Sequence, residues 1–166
     1  MVSLAQNLQN KIVAFNELDG IIQLWKSQNQ KLVFTNGCFD IIHLGHIDYL
    51  SKAKKLGDKL IIGLNSDFSV KNIKGNSRPI QDEKSRAAIL ASFYFVDLVI
   101  LFDEDTPIKL ISKIIPDVLV KGADYKKSEI VGYDVVSENG GDVITLDFLA
   151  GYSTSAIEKK IIDNQK

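Results

Sequence analysis

The chain has 166 residues, 45% apolar and 25% charged, with a net charge of −1. That is enough chain for one domain with a proper core, and the balance excludes a global pull toward nucleic acid or anionic membrane, though not a local basic site. Cys38 is the single cysteine, which excludes an intramolecular disulfide and suits a reducing cytosol, and no apolar run approaches the roughly 20 residues of a membrane span.

The N-terminus, MVSLAQNLQNKIVAF, lacks a basic segment followed by an unbroken apolar stretch, so no signal peptide is expected and the protein reads as cytoplasmic. The first thirty residues carry no strand pattern. IVAFNELDGIIQLWKSQNQ reads as a helical extension, residues 1–30, packing outside a sheet through Ile21, Ile22, Leu24 and Trp25. LVF at 32–34 then opens a series of short β-rich runs, continued by LIIGL at 60–64, LVIL at 98–101, VLV at 118–120 and VITL at 143–146.

Helical spacing fills the gaps. Ile47, Leu50, Ala53 and Leu56 recur every third residue, and Gly57 follows as a stop. SRAAILASFYFV at 85–96 and TPIKLISKII at 106–115 also read as helices, the second with Thr106 as N-cap, Pro107 in the first turn and Pro116 at the end. GNSRP (75–79) and NGG (139–141) read as loops. Near the C-terminus, Ser153, Thr154 and Ser155 are N-cap residue types, and Ser155 with Glu158 fits a capping box. Strands alternating with helices predict an α/β fold: a Rossmann-like, doubly wound parallel sheet with helices on both faces, forming a single domain whose main body is 31–166. The strands are nearly all apolar, as befits a sheet buried on both sides.

Chemistry concentrates in GCFDIIHLGH, 37–46, which holds the chain's two histidines, His43 and His46. The stretch follows a strand, so it lies at the carboxyl edge where open α/β sheets bind ligands. The next helix starts near His46, and a helix start is a ready anion site. Gly37 and Gly45 would let backbone approach a ligand. Two imidazoles there can donate to phosphate oxygens and, if protonated, neutralise charge developing in a transition state. Three blander readings compete: a half-built zinc site short of ligands, two histidines without a role, and Cys38 as a nucleophile beside a histidine base.

GCFDIIHLGH resembles the G-x-F-D-x-x-H-x-G-H motif of the HxGH nucleotidyltransferase superfamily, which transfers a nucleotidyl group from a nucleoside triphosphate to a phosphate-bearing acceptor and releases pyrophosphate. GYSTSAIEKKI (151–161) resembles its I-S-T-S/T segment, which opens the last helix. FTNGCFDIIHLGH, LNSDFSVKNIKGNSRPI, DEDTPIKLISKIIPDVLVKGADY and NGGDVITLDF resemble the branch of heptose 1-phosphate adenylyltransferases that make ADP-heptose for bacterial lipopolysaccharide. In many bacteria that domain is fused to a sugar kinase; here the resemblance implies that a separate kinase supplies the heptose 1-phosphate.

The resemblance implies roles for individual residues. His43, His46 and Lys74 would be catalytic, gripping the triphosphate, with Lys74 on a mobile loop and Lys71 a weaker candidate. Thr35, Asn36, Gly37, Cys38, Phe39, Arg86, Gly122, Asp124, Ser153, Thr154 and Ser155 would bind the nucleotide. Asn65, Asp67, Arg78 and Tyr125 would meet the sugar phosphate, although Asp67 could instead cap the next helix. No protein-held metal is implied; Mg2+ would travel with ATP. The implied partners are ATP and a sugar 1-phosphate, without nucleic acid or membrane, in a homodimer. Ala123 departs from the G-G-D-Y of the branch, and Tyr152 stands where smaller residues are common. Two alternatives stay open: a cytidylyltransferase acting on glycerol 3-phosphate or another phosphoalcohol, and a nucleotide-binding sensor or scaffold without catalysis.

Overall fold

The computed structural model describes residues 8–123 and 126–164. Asp124 and Tyr125 lie outside the described residues. Six strands form one sheet: β1 (Ile12–Val13), β2 (Leu32–Gly37), β3 (Lys59–Asn65), β4 (Leu98–Phe102), β5 (Val118–Gly122) and β6 (Asp142–Leu146). Their order is β1-β4-β3-β2-β5-β6 and every pairing is parallel. The chain steps outward from β2 through β3 to β4, then crosses back to β5 and β6. The direction of winding therefore reverses between β2 and β5, which leaves a crevice at their carboxyl ends.

Helices α1 (Leu18–Ser27), α2 (Leu44–Lys54), α3 (Asp67–Lys74), α4 (Glu83–Ser92), α5 (Ile108–Ile114), α6 (Tyr133–Glu138) and α7 (Thr154–Asp163) lie among the described residues, with short 3-10 turns at Phe15–Glu17 and Lys127–Glu129. Side-chain alternation along the strands splits the core in two. On one face Leu32, Phe34, Ile61 and Leu119 pack with α1, α5 and α6. On the other Val33, Leu60, Ile62 and Val120 pack with α2 and α4. This is the doubly wound, Rossmann-like architecture that the alternating pattern predicts.

The N-terminal reading needs correction. Ile12 and Val13 form β1, in register with Val99 and Ile100 of β4. Two residues are too few to show a strand period. α1 is present, but it buries Leu18 and Ile22, one helical turn apart, while Leu24 is 55% exposed. Other boundaries shift for local reasons. α5 has Pro107, not Thr106, at its N-cap. α7 is capped by Ser153, whose hydroxyl accepts from Ala156 N–H at 3.1 Å, so the capping box read at Ser155 and Glu158 does not form. The six-residue α6 has no counterpart in the sequence reading, and α3 enters it only as the unnamed helix after Asp67.

Candidate active site

The turn from β2 into α2 is built by tight packing between its own residues. Phe39 adopts a left-handed backbone with φ 44°, and its ring lies so close to Gly37 that a Cβ there would be 3.0 Å from it. The same ring meets His46 edge-on at 5.3 Å between centroids. His43 is the N-cap residue of α2, and its carbonyl accepts from His46 N–H at 2.9 Å and Ile47 N–H at 3.3 Å. The N–H groups of Leu44 and Gly45, which precede those two donors in the first turn, have no acceptor one turn back in the helix. Gly45 explains the H-x-G-H spacing physically: a Cβ on it would lie 3.0 Å from His43 Cε1 and Nδ1. Without that Cβ the His43 ring folds back and stacks on His46, 3.9 Å between centroids and 19° between planes.

This pair is electrostatically primed. Both Nδ1 atoms are buried without a hydrogen-bond partner among the described residues. Burial pushes the His46 pKa down to about 4, with the His43 ring and the Lys74 ammonium acting in the same direction. Burial also lowers that of His43. Two neutral rings with unspent nitrogens, beside a helix start and a lysine, form a site waiting for negative charge.

A cavity of about 480 Å³ opens here. Of the residues expected at the substrates, Asn36, Gly37, Cys38, Phe39, His46, Asn65, Lys74, Gly122 and Thr154 line it. His43 lies outside the lining and meets it through its stacking on His46. Thr35 is fully buried beneath, its hydroxyl 2.8 Å from that of Tyr49. The start of α7 comes alongside that of α2, since Tyr152 Cβ would be 3.2 Å from a Cβ on Gly45. Thr154 faces the cavity while Ser153 is spent as the cap and Ser155 is exposed outside the lining. Burial raises the Cys38 pKa, which works against a thiolate nucleophile there. Among the described residues no three His, Cys, Asp or Glu side chains converge as a metal cage. Lys74 and His46 share the cavity wall with the carboxylates of Asp40, Asp105 and Glu129, and it is the cation and the N–H donors that suit phosphate oxygens.

Three other residues expected at the substrates hold partners within the protein. Arg86 is 0% exposed. Its guanidinium donates to the carbonyls of Gln81 (3.0 Å), Cys38 (2.6 Å) and Asn65 (2.8 Å) and to Asp67 Oδ1 (2.8 Å). It ties the ends of β2 and β3 together beneath the site. Asp67 is thereby occupied, and the helix cap beside it is Ser66. Arg78 bridges Asp40 at 2.5 Å and Glu158 at 2.6 Å. Asp40 also accepts from the N–H groups of Ile80 and Gln81. Burial alone would raise the Asp40 pKa, but those N–H groups and Arg78 outweigh it and hold the carboxyl below its usual range. Lys74 ends α3 rather than sitting in a loop, is exposed at the cavity and has no ion-pair partner among the described residues. Lys71 lies outside the lining.

The sequence reading missed Lys121 of β5, which lines the cavity and donates to Asn36 Oδ1. Its signal was a lone charge closing the apolar run VLV at the carboxyl edge. It also missed Phe148, 6.0 Å from the Tyr49 ring, and Asp40, the acid of G-x-F-D.

Comparison with known proteins agrees with this geometry. The cytidylyltransferase-like family matches residues 34–160. The bifunctional protein HldE of Campylobacter jejuni is 57% identical over 159 residues, covering 96% of this chain and 33% of that protein. That of Actinobacillus succinogenes is 54% identical, covering 92% of this chain and 32% of its own. The chain thus spans about a third of the length of the curated relatives it matches. Among solved structures, a lipopolysaccharide core biosynthesis protein from Thermoplasma volcanium superposes with a TM-score of 0.60 at 34% identity, covering 72% of this chain and 97% of that one. A pantoate-beta-alanine ligase from Francisella tularensis, 18% identical with a TM-score of 0.55 over 93% of this chain and 78% of that one, shares the fold. On its stacked H-x-G-H pair, its doubly wound sheet and the family match over 34–160, the chain belongs to the cytidylyltransferase-like family, the HxGH nucleotidyltransferases.

Proposed function

We propose that this site transfers an adenylyl group from ATP to a heptose 1-phosphate, giving ADP-heptose and pyrophosphate. The observation that carries the reading is the stacked His43–His46 pair, with two buried unpartnered nitrogens, set between two adjacent helix starts. The heptose branch is supported by the stretches KNIKGNSRP and VKGADY and by kinship with bifunctional HldE proteins and a lipopolysaccharide core biosynthesis protein.

The reaction is an in-line displacement. An oxygen of the sugar 1-phosphate attacks the α-phosphorus, and the bond to the bridging oxygen breaks, so that pyrophosphate leaves with the electron pair. The attacking group is already anionic near neutral pH and needs no general base. Catalysis is then positioning plus charge stabilisation. His46 and His43 donate to the phosphates, the first-turn N–H groups of α2 and α7 orient them, Thr154 adds a hydroxyl and Lys74 adds charge. Mg2+ enters bound to ATP and shields its negative charge. The reading includes a homodimer, to be checked by light scattering. No helix among the described residues is long and apolar enough to cross a membrane.

The test is pyrophosphate release with heptose 1-phosphate and Mg2+, with ATP, CTP, GTP and UTP in parallel. Release with ATP alone is expected. Release with CTP and glycerol 3-phosphate would replace the reading by cytidylyl transfer. ATP binding without any release would make the protein a sensor or scaffold.

A further inference from the structure

The cavity wraps over the carboxyl edge of the sheet, and its two halves differ in chemistry. Strand alternation assigns residues to each half. Thr35 points to the α2 face, where it meets Tyr49. Asn36 points to the α5 face, and Gly63 shows this directly: a Cβ there would lie 3.2 Å from Asn36 Cβ and 3.3 Å from Leu110 Cδ1. Leu119 packs in the α5-face core, so Lys121, two positions on, points the same way and reaches Asn36 Oδ1.

The α2 half holds the stacked histidines and the helix starts, which suit a triphosphate. The α5 half holds Lys121, Asn36 and Asn65, with Asp105, Thr106 and Glu129 also on the cavity wall. That is one ammonium among amides, a hydroxyl and carboxylates. The ammonium suits a phosphate monoester, and the other groups suit hydroxyls. Asn36 spends its carbonyl on Lys121, leaving its amide N–H groups to donate, while Asn65 donates to Ser69 Oγ at 2.9 Å, leaving its carbonyl to accept. Lys121 also stands on β5 beside β2, at the reversal of winding where two phosphates must approach one another. A cation there offsets their mutual repulsion.

The geometry points to Lys121 as the anchor for the acceptor's phosphate, aimed by Asn36, with the α5 half as the seat of a phosphorylated, polyhydroxylated acceptor. This rests on the nucleotidyl-transfer reading above and adds a residue and a place to it.

The experiment is calorimetric titration of wild type, Lys121→Met and Lys121→Arg, each saturated with Mg2+ and a non-hydrolysable ATP analogue. The ligands are heptose 1-phosphate, glucose 1-phosphate, glycerol 3-phosphate and unphosphorylated heptose. Lys121→Met is expected to weaken every phosphorylated ligand that wild type binds by about 10- to 100-fold. It should shift the analogue's own Kd by less than about threefold and leave any binding of free heptose unchanged, with Lys121→Arg recovering part of the loss. Selective loss for glycerol 3-phosphate, with heptose 1-phosphate not bound at all, would discard the heptose reading and keep Lys121 as anchor. Equal loss for the analogue, no loss for phosphorylated ligands, or no phosphorylated ligand binding to wild type would overturn the assignment.

Discussion

Two helix starts meet at the site and are held in opposite ways. α2 is fixed by burial: Gly45, Tyr49, Leu50 and Ala53 all lie in the core. α7 buries none of its residues. Beyond its own Ser153 cap, it is tied by the Glu158–Arg78 pair, which leads on to Asp40. Apolar packing sets the first phosphate-facing element during folding and leaves it indifferent to ligand. The second is held by links no stronger than those a phosphate would make. Damage on the α2 side should therefore appear in stability or kcat, and damage on the α7 side in KM.

Arg86→Met should separate these behaviours most sharply. It removes the cation from a buried cluster and leaves three carbonyls and Asp67 without their donor. A loss of about 3–5 kcal/mol is expected in urea unfolding. Next comes His46→Ala, expected to lower kcat by about 10²–10³-fold while the melting temperature stays near wild type, as checked by pyrophosphate release and thermal scans. Near-wild-type turnover would remove His46 from the chemistry. Glu158→Gln acts on the other helix start. It should raise KM for ATP about 2- to 5-fold with kcat little changed, and a fall in kcat instead would make the two starts equivalent.

The smallest effect is on pH. An unfolded His46 binds its proton below about 6.5 and the folded one only near 4, so between those values the unfolded state holds more protons. Stability should therefore fall as pH drops through that window. His46→Gln should flatten the decline, raising the melting temperature most at its acid end. An unchanged profile would place the titration elsewhere.

The comparison also marks what a sequence can disclose. β2 through β6 are legible because a doubly buried strand is a run of apolar residues. His43 and His46 are legible because their position after β2 puts them at the ligand-binding edge of such a sheet. The internal partners of Arg78 and Arg86 are not legible, for one reason. A sequence displays a cation, but not the partner that claims it from 80 residues away, as Glu158 claims Arg78, or from 48 away, as the Cys38 carbonyl claims Arg86. The cap of α7 was misplaced because three consecutive hydroxyl residues each qualify, and only the chain's approach selects Ser153. Lys121 escaped because its meaning depends on β5 lying beside β2, and that neighbour relation arises only from the crossover.

β1 closes the sheet with two residues, and Leu18 and Ile22 of α1 seal the core beneath. A fragment begun at residue 31, where the recognisable motifs start, would keep every group named at the site. It would also bare the backbone ladder of β4 and an apolar hollow. Such an edge is a template for intermolecular pairing. Trimming to the motifs should therefore yield aggregates rather than a smaller enzyme, and the colloidal behaviour of this protein is decided at the rim farthest from its chemistry.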